Sequence, residues 1–193
     1  NFRGSTGYGT KLYTAGFREW GGKMQDDITD GVKYLIKESI ADPNRIGIYG
    51  ASYGGYATMA GLCFTPELYR CGVNYVGVTD IDLILKEYPL PEKFNDAIDA
   101  VMIADRKKDK DWIKNRSIQN NIDKVRAPVL MAYGMEDWRV PPKHGRILKR
   151  ALDKNDIPNK LIIKANEGHG FRNEKNVFEF YREVEAFLAE HMK

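Results

Sequence analysis

The chain has 193 residues, with 30 lysines and arginines against 27 aspartates and glutamates and a formal net charge of +3. This length suffices for one domain with a buried core, and a hydrophobic content of 42% is ordinary for a globular protein. The charge balance is too small to predict nucleic acid or a membrane surface as a partner. No apolar run approaches the ~20 residues of a membrane-spanning helix.

The first half of the chain predicts a helix, a strand and a second helix, in that order. Residues 25–39 repeat apolar side chains at helical spacing, and the sequence DPN at 42–44 breaks the pattern. The run RIGIYG (45–50) then predicts a buried strand, and a small-residue helix from Tyr56 to Cys63 follows a glycine-rich turn. The apolar repeat of the first helix comprises Ile28, Val32, Leu35 and Ile36.

The rest of the chain continues this alternation. Strands are predicted at CGVNYVGV (71–78), APVLMAYG (127–134) and KLIIKA (160–165), with a helix from Lys143 to Leu152 and another at the C-terminus. This order predicts an α/β fold in which a parallel sheet has helices on both faces and binds ligands at the carboxyl ends of its strands. The C-terminal helix is marked by an apolar stripe at Val177, Tyr181, Val184 and Leu188, widened by Phe178 and Phe187.

The segment of residues 80–126 does not continue the alternation of strands and helices, and it is too long for an ordinary connection of ~2–6 residues. The segment either forms a wall of a ligand pocket above the sheet or packs over the sheet edge, and the sequence favours neither. Tyr88 and Phe94 are candidate aromatic wall residues or, alternatively, core residues. An amphipathic helix within the segment is predicted from the spacing of Phe94, Ile98, Val101 and Met102.

The sequence GASYG at 50–54 has the G-x-S-x-G pattern of a nucleophile elbow. The pattern alone is weak evidence, but here it follows a predicted strand and opens a predicted helix, which is the context that the motif requires. A sharp strand-to-helix turn exposes the serine Oγ above the sheet, and the flanking glycines make room for the strained backbone. We therefore predict that Ser52 is a nucleophile and that the Tyr53 amide donates a hydrogen bond to the oxyanion.

A serine nucleophile needs a base, and the chain offers three histidines. His169 lies in the loop NEGHGF just after the strand KLIIKA, at the same rim of the sheet as Ser52, and is the predicted base. His144 follows VPPK at a helix start and is predicted to lie on the surface. His191 belongs to the last turn of the terminal helix and is predicted to be exposed.

The orienting acid has two candidates, because the elbow fold places it between the serine and the histidine in the sequence. Asp137 follows the strand APVLMAYG and Asp80 follows the strand at 71–78, so both loops lie at the correct rim. An aspartate that opens a loop often serves only as a turn or cap residue. The separations along the chain favour Asp137 over Asp80.

Five stretches follow one another in the sequence: NFRGSTGYG, WGGKMQDDITDGVKYLI, DPNRIGIYGASYGGYAT, APVLMAYGMEDWRVPPKHG and NEGHGF. Together they resemble the catalytic domain of the prolyl-oligopeptidase family of serine peptidases, and most of all its acylaminoacyl-peptidase and dipeptidyl-aminopeptidase-like branch. The resemblance implies an α/β-hydrolase fold with Ser52 as nucleophile, Asp137 as orienting acid and His169 as base. The family's D-x-R-V motif maps onto residues 137–140. This implies that Arg139 binds a substrate backbone carbonyl and that Val140 lines the pocket for the residue before the cut.

The resemblance also implies segments upstream of this chain. In the family, three parts precede the stretch that matches NFRGS. They are the first strands of the sheet, a segment with a second oxyanion donor and a β-propeller that screens substrates by size. We expect residues 1–193 to be the C-terminal part of such a catalytic domain, with an unpaired edge at the strand RIGIYG. We therefore expect self-association through that edge or pairing with the missing N-terminal part.

The sequence predicts no cofactor and no metal site. The glycines of GSTGYG (4–9) follow neither the dinucleotide nor the P-loop pattern, and the scattered histidines and two cysteines lack metal-ligand spacing. Cys63 and Cys71 are expected to be buried free thiols.

The predicted function is a serine peptidase that hydrolyses short peptides or acyl-peptides through an acyl-enzyme intermediate. Two alternatives stay open. The same residues would serve a carboxylesterase, because the elbow pattern does not distinguish ester from amide cleavage. The chain could also be a catalytically inert fragment that only assembles with a partner.

Overall fold

The computed structural model describes residues 1–87 and 98–193. Four strands form its sheet: β1 (Gly47–Ala51), β2 (Cys71–Tyr75), β3 (Val129–Gly134) and β4 (Asn159–Lys164). The described helices are α1 (Thr10–Thr14), α2 (Lys23–Lys37), α3 (Tyr53–Phe64), α4 (Ile81–Glu87), α5 (Lys110–Arg116), α6 (Lys143–Lys154) and α7 (Glu174–His191). Residues 98–102 are also helical, and short 3-10 turns occupy Ile118–Asn120 and Ile122–Lys124.

Neighbouring strands of the sheet are all parallel, in the order β1-β2-β3-β4. The predicted parallel α/β fold is therefore confirmed, and the carboxyl ends of these strands lie at one rim. The prediction of a buried first strand is wrong, because β1 lies at the edge of the described sheet and its Tyr49 is 47% exposed. Pairing of this edge with an upstream segment or with a second copy stays a prediction.

Alternating residues of β3 point into two hydrophobic clusters, one on each face of the sheet. Val129, Met131 and Tyr133 pack with α3 and α6, whereas Leu130 and Ala132 pack with α7. This period of two follows from the pleat of a strand. Because helices cover both faces, every residue of β3 is buried, which explains its unbroken apolar sequence.

The face that α7 presents to the sheet differs from the predicted stripe. Phe180 is 1% exposed and Val184 is 9% exposed, whereas Tyr181 and Phe178 are 53% and 56% exposed. The stripe predicted from the sequence includes Tyr181 in place of its neighbour Phe180, which lies about 100° away around the helix. Both residues are aromatic, so hydrophobicity alone does not separate them.

The predicted apolar face of α2 is only partly covered. Met24, Gln25 and Thr29 are the buried residues of this helix, and Leu35 is 41% exposed. Two of the three buried side chains are polar, so a pattern of apolar residues does not mark the face that packs inward.

The long segment between β2 and β3 forms part of a cavity wall, which is one of the two alternatives that the sequence left open, and it also contributes to the core. Ile84 of α4 and Met102 line a cavity at the strand rim, while Ile113 and Ile118 are buried in the core. Residues 98–102 are helical, as predicted, but Ile98 and Val101 of the predicted apolar face are 40% and 58% exposed. The candidate wall aromatics Tyr88 and Phe94 lie outside the described residues.

Cys63 and Cys71 are buried free thiols, as predicted, and burial raises the pKa of both. They are therefore protonated and weakly reactive near neutral pH. Within residues 1–87 and 98–193, no helix has the length and the apolar composition to cross a bilayer.

Two glycines let α3 sit directly on the turn that follows β2. A Cβ on Gly55 would lie 2.5 Å from the Gly77 Cα and 2.6 Å from the Asn74 Oδ1. The first of these contacts is with backbone, which no side-chain rotation could relieve. Gly31 in the middle of α2 is different, since no described atom outside the adjoining backbone of α2 lies within 4 Å of its Cβ position.

We expect Gly55→Ala to lower the free energy of unfolding by about 1–3 kcal/mol, because the added methyl group must displace backbone. Gly31→Ala is the matched control, and the same change at this open helical position should raise the free energy of unfolding by about 0.5–1 kcal/mol. Both variants are made in the full gene product that contains this sequence and compared by chemical denaturation. Equal stability of the two variants would contradict the close approach of α3 to the turn.

Candidate active site

Ser52 is the only residue between β1 and α3. Its backbone has φ 58° and ψ −119°, and such a positive φ is strained for a residue other than glycine. The Ser52 N–H donates to the Tyr75 carbonyl at 2.9 Å, and the Ser52 carbonyl accepts from the N–H groups of Gly55 and Tyr56. These hydrogen bonds hold a sharp strand-to-helix turn around the serine, which is the context that the elbow motif requires.

The two glycines of the motif have different surroundings. A Cβ on Gly50 would lie 2.2 Å from the Gly54 carbonyl oxygen, so the turn requires glycine at position 50. At Gly54, no described atom outside the adjoining backbone of α3 lies within 4 Å of the Cβ position. The first glycine therefore lets the start of α3 fold back on β1, whereas packing among the described residues leaves room at the second.

The structure brings Ser52, His169 and Asp137 together in one chain of hydrogen bonds. His169 Nε2 lies 2.9 Å from Ser52 Oγ, and His169 Nδ1 lies 2.8 Å from Asp137 Oδ2. The Asp137 side chain has no exposed surface, whereas the His169 side chain is 18% exposed. The carboxylate is thus sealed from solvent while the imidazole stays accessible.

The surroundings of Asp137 determine where the imidazole proton lies. Asp137 Oδ1 accepts hydrogen bonds from the main-chain N–H groups of Arg139 and Val140, each at 2.9 Å. A carboxylate only accepts hydrogen bonds, so the proton of a neutral His169 lies on Nδ1 and points to Oδ2. Nε2 then directs its lone pair at the Ser52 hydroxyl, which is the arrangement that a general base needs.

The other candidates from the sequence make different contacts. Asp80 caps the first turn of α4, where its Oδ1 accepts from the Leu83 N–H at 3.1 Å. His191 packs its ring against Phe187 at 4.7 Å between ring centroids. His144 is 0% exposed, so the prediction that it lies on the surface is wrong. Among the residues that the structure describes, no group of His, Cys, Asp or Glu side chains could hold a metal ion.

The loop that carries His169 packs directly against the loop that carries Asp137. A Cβ on Gly134, the last residue of β3, would lie 2.2 Å from the Glu167 carbonyl oxygen. The same carbonyl accepts a hydrogen bond from the Glu136 N–H at 2.8 Å. Glycine at the end of β3 therefore allows the contact that sets the separation between the two loops.

A cavity of about 480 Å³ lies at this rim, and Ser52 and His169 both contribute to its wall. The Tyr53 side chain also lines the cavity, and its ring lies 4.8 Å from the Trp20 ring between centroids. Tyr53 is the first residue of α3, so its main-chain N–H has no acceptor inside the helix. Most of the remaining described lining is apolar and includes Met24, Val78, Ile84, Leu85 and Met102.

Arg139 and Val140 line the same cavity but differ in exposure. Val140 is 3% exposed and belongs to the core. Arg139 is exposed, and its guanidinium carbon lies 5.3 Å from the centroid of the Trp138 ring. The structure therefore brings the D-x-R-V motif to the rim, and the roles of Arg139 and Val140 in substrate binding stay predictions.

The sequence model of the prolyl oligopeptidase family matches residues 1–193. This chain belongs to the prolyl oligopeptidase family. Among its relatives is dipeptidyl aminopeptidase BIII of Pseudoxanthomonas mexicana, which is 36% identical over an alignment 193 residues long. The alignment covers 98% of this chain and 28% of the relative. A solved puromycin-hydrolyzing peptidase of Mycobacterium tuberculosis has a TM-score of 0.92 at 26% identity, over 100% of this chain and 29% of that one.

An acylaminoacyl peptidase solved in complex with Z-Gly-Gly-Phe-chloromethyl ketone has a TM-score of 0.88 at 25% identity, over 100% of this chain and 31% of that one. The predicted prolyl oligopeptidase family and α/β-hydrolase fold are therefore confirmed. The chain spans less than a third of the length of these family members.

Two stretches that carry the prolyl oligopeptidase resemblance have a structural role that the sequence reasoning missed. Arg3 of NFRGS forms a two-pronged ion pair with Asp27, at 2.7 and 2.5 Å, next to Gly4 in the cavity wall. Trp20 and Met24 of WGGKM line the cavity as well. The signal in the sequence that could have indicated this role was the cluster of glycine and aromatic residues in these two stretches, which has neither helical nor strand periodicity.

His144 joins the start of α6 to the turn after β2. Its Nδ1 accepts from the Thr79 N–H at 3.3 Å, and the Thr79 hydroxyl donates to the His144 carbonyl at 3.1 Å. Burial lowers the pKa of His144 from 6.5 to about 4; the Glu87 and Asp137 carboxylates oppose this decrease and the Lys143 ammonium adds to it. The imidazole is therefore neutral at pH 7.

We expect His144 to make the protein less stable as the pH falls from about 6.5 to about 4. In this range the unfolded chain takes up a proton that the folded chain does not, so protonation favours the unfolded state by about 3 kcal/mol at pH 4. His144→Asn keeps an acceptor near the position of Nδ1, but asparagine does not titrate. Between pH 6.5 and pH 4, the free energy of unfolding of this variant should therefore fall by about 3 kcal/mol less than that of the wild type. Urea denaturation across this pH range measures both proteins, and parallel curves would count against the expected effect.

Proposed function

We propose that this chain forms the catalytic part of a serine peptidase that cleaves short peptides or acyl-peptides. The observation that supports the proposal is the chain of hydrogen bonds from Asp137 through His169 to Ser52, 2.8 and 2.9 Å long, at the wall of an apolar cavity. A member of the prolyl oligopeptidase family with this arrangement has the nucleophile, base and orienting acid that acyl transfer requires.

In the proposed reaction, His169 Nε2 takes the proton from Ser52 Oγ while Oγ attacks the carbonyl carbon of the scissile bond. Nε2 then gives this proton to the leaving amine nitrogen, the C–N bond breaks, and an acyl ester of Ser52 remains. A water molecule that Nε2 deprotonates attacks the ester, and the proton returns to Oγ as the carboxylic acid leaves. Asp137 stays ionised throughout and stabilises the imidazolium that forms in each half of the reaction.

The negative oxygen of each tetrahedral intermediate is proposed to lie at the N-terminus of α3. There the Tyr53 N–H donates to it, and the partial positive charge at the end of a 12-residue helix favours the developing anion. The Tyr53 ring is held by Trp20 and Phe2, at centroid distances of 4.8 and 5.8 Å. This packing keeps the amide in place before the reaction, which is what makes such a donor effective.

The cavity is proposed to hold the side chain of the residue before the scissile bond. Val140 would form part of its wall, and the mainly apolar described lining favours an apolar side chain. Arg139 is exposed at the same rim, where its guanidinium would donate to a backbone carbonyl of the substrate. Relatives named dipeptidyl aminopeptidase and acylaminoacyl peptidase support a peptide or acyl-peptide substrate.

A fluorophosphonate probe tests the nucleophile, because it reacts with an activated serine hydroxyl. We expect the wild-type gene product to be labelled and Ser52→Ala to show no label. Asp137→Asn should be labelled about 10³–10⁴-fold more slowly, because an amide at this position favours the wrong tautomer of His169. The time course of labelling, followed by in-gel fluorescence, measures these rates.

Asp80→Asn is the matched control for the choice of acid, and it should be labelled at the wild-type rate because Asp80 only caps α4. Equal rates for Asp137→Asn and the wild type would contradict the assignment of Asp137. Absence of Ser52-dependent label in the wild type would end the peptidase proposal and leave the alternative of an inert, assembling fragment.

Peptidyl anilides and acyl nitrophenyl esters distinguish a peptidase from a carboxylesterase with the same catalytic residues. We expect turnover of both, since a serine that cleaves an amide also cleaves a more reactive ester. Arg139→Gln should lower kcat/KM for a peptidyl anilide about 10–100-fold, because a charged hydrogen bond to the substrate is lost. A simple acyl ester has no further backbone carbonyl, and its kcat/KM should stay within about twofold.

Arg146→Gln is the matched control, since Arg146 is an exposed arginine of α6 whose guanidinium contacts the Met135 Sδ at 3.2 Å. It should affect neither substrate class. Strong ester cleavage without anilide cleavage would favour the carboxylesterase, and equal losses on both substrates in Arg139→Gln would contradict the proposed contact.

A further inference from the structure

Glu167 precedes His169 by two residues, and none of the proposed chemical steps uses it. Although it carries a carboxyl group, Glu167 is only 2% exposed. Its Oε2 accepts from the Arg172 N–H at 2.7 Å, and its Oε1 accepts from the Asn173 N–H at 3.0 Å and from Asn176 Nδ2 at 2.7 Å. One carboxylate thus closes the loop that runs from Glu167 across His169 to the first turn of α7.

The main chain of Glu167 fastens the same loop to the loop of the acid. The Glu167 carbonyl accepts from the Glu136 N–H at 2.8 Å, directly before Asp137. The loop is narrow, because residues 168 and 170 form a bridge on either side of His169. A movement of the Glu167 side chain would therefore move the imidazole relative to Asp137.

The donors around Glu167 favour its ionised form. Burial alone would raise the pKa of its carboxyl, but the N–H groups of Arg172 and Asn173 and the amide of Asn176 donate to it and hold the pKa below the ordinary value of 4.5. The carboxylate also lies at the N-terminus of the 18-residue α7, where the partial positive charge of the helix favours an anion. Near neutral pH, a buried anion therefore holds the loop.

We infer that Glu167 is a positioning residue for His169: its buried carboxylate fixes the distance of the imidazole from Ser52 and from Asp137. The inference rests on the proposed function, since it assigns a role in the same reaction. Residues 167–171 belong to no helix or strand, so the hydrogen bonds of Glu167 supply the restraint that regular secondary structure would otherwise provide.

Glu167→Gln tests the inference with almost no change of shape. A carboxylate accepts with both oxygens, but an amide offers one oxygen and turns an NH₂ group toward an N–H donor, so a hydrogen bond is lost. We expect kcat for a peptidyl anilide to fall about 10²-fold with KM within about twofold, because a catalytic group displaced by about 1 Å costs this much. Labelling by the fluorophosphonate probe should slow by the same factor.

Val184→Ala separates positioning from loss of stability. Val184 is buried on α7 in the cluster against β3, so its truncation weakens the same helix but removes no hydrogen bond of the loop. It should lower the melting temperature and leave kcat unchanged. If Glu167→Gln does not fold, Glu167→Asp takes its place, since it keeps the charge but is one methylene too short for all three donors, and the same fall in kcat is expected.

The NMR signal of the His169 Nδ1 proton gives a readout that does not depend on turnover, and its loss in His169→Ala assigns it. We expect this signal in the wild-type and Ser52→Ala proteins, and its loss in Glu167→Gln. Wild-type kcat with an unchanged signal in Glu167→Gln or Glu167→Asp would overturn the inference. Absence of Ser52-dependent labelling in the wild type would instead overturn the proposed function, and the NMR comparison would still decide whether Glu167 positions His169.

Discussion

The hydrogen bond between Ser52 and His169 joins residues that lie 117 positions apart in the sequence, and the arrangement of the sheet makes this contact possible. Because the four strands are parallel, their carboxyl ends lie at one rim, and the loops after β1, β3 and β4 meet there. These loops carry the serine, the aspartate and the histidine. Reversal of β1, β3 or β4 would place the catalytic residue that follows that strand at the opposite rim.

The order of the strands brings the loops of the catalytic residues to one rim, and close contacts between main-chain segments then set the separation of these loops. Gly134 lets the loop of His169 touch the loop of Asp137, and a Cβ at that position would meet backbone oxygen at 2.2 Å. The Glu136 N–H then donates to the Glu167 carbonyl across the same contact. The separation between the two loops is therefore limited by backbone, which adjusts less readily than side chains do.

The sequence predicted the parallel sheet and the residues that meet at its rim, because apolar runs and glycine turns mark the strands and the elbow, and the elbow fold fixes the order of serine, acid and base. It failed where burial depends on what covers a surface. Periodicity did not choose between Phe180 and Tyr181, and the apolar run of β1 predicted burial although Tyr49 is 47% exposed. The edge position of β1 was expected only from the family resemblance.

The hydrogen-bond partners of two buried polar residues were also beyond the sequence. His144 has the pattern of a surface residue at a helix start, because its partner Thr79 is 65 positions away. Glu167 has the pattern of an ordinary polar loop residue, since nothing in NEGHGF shows that three donors enclose its carboxylate. Such residues are recognised only when the segments around them are placed in space.

The unequal surroundings of Gly50 and Gly54 bear on how chains of this kind are recognised. At the first position a methyl group collides with backbone, whereas at the second it meets no described atom outside the adjoining backbone of α3 within 4 Å. A database search that demands both glycines therefore asks for more than the architecture of this turn requires. Alanine at position 54 would leave the packing of the described residues unchanged. A search that requires both glycines would discard homologues that carry this alanine.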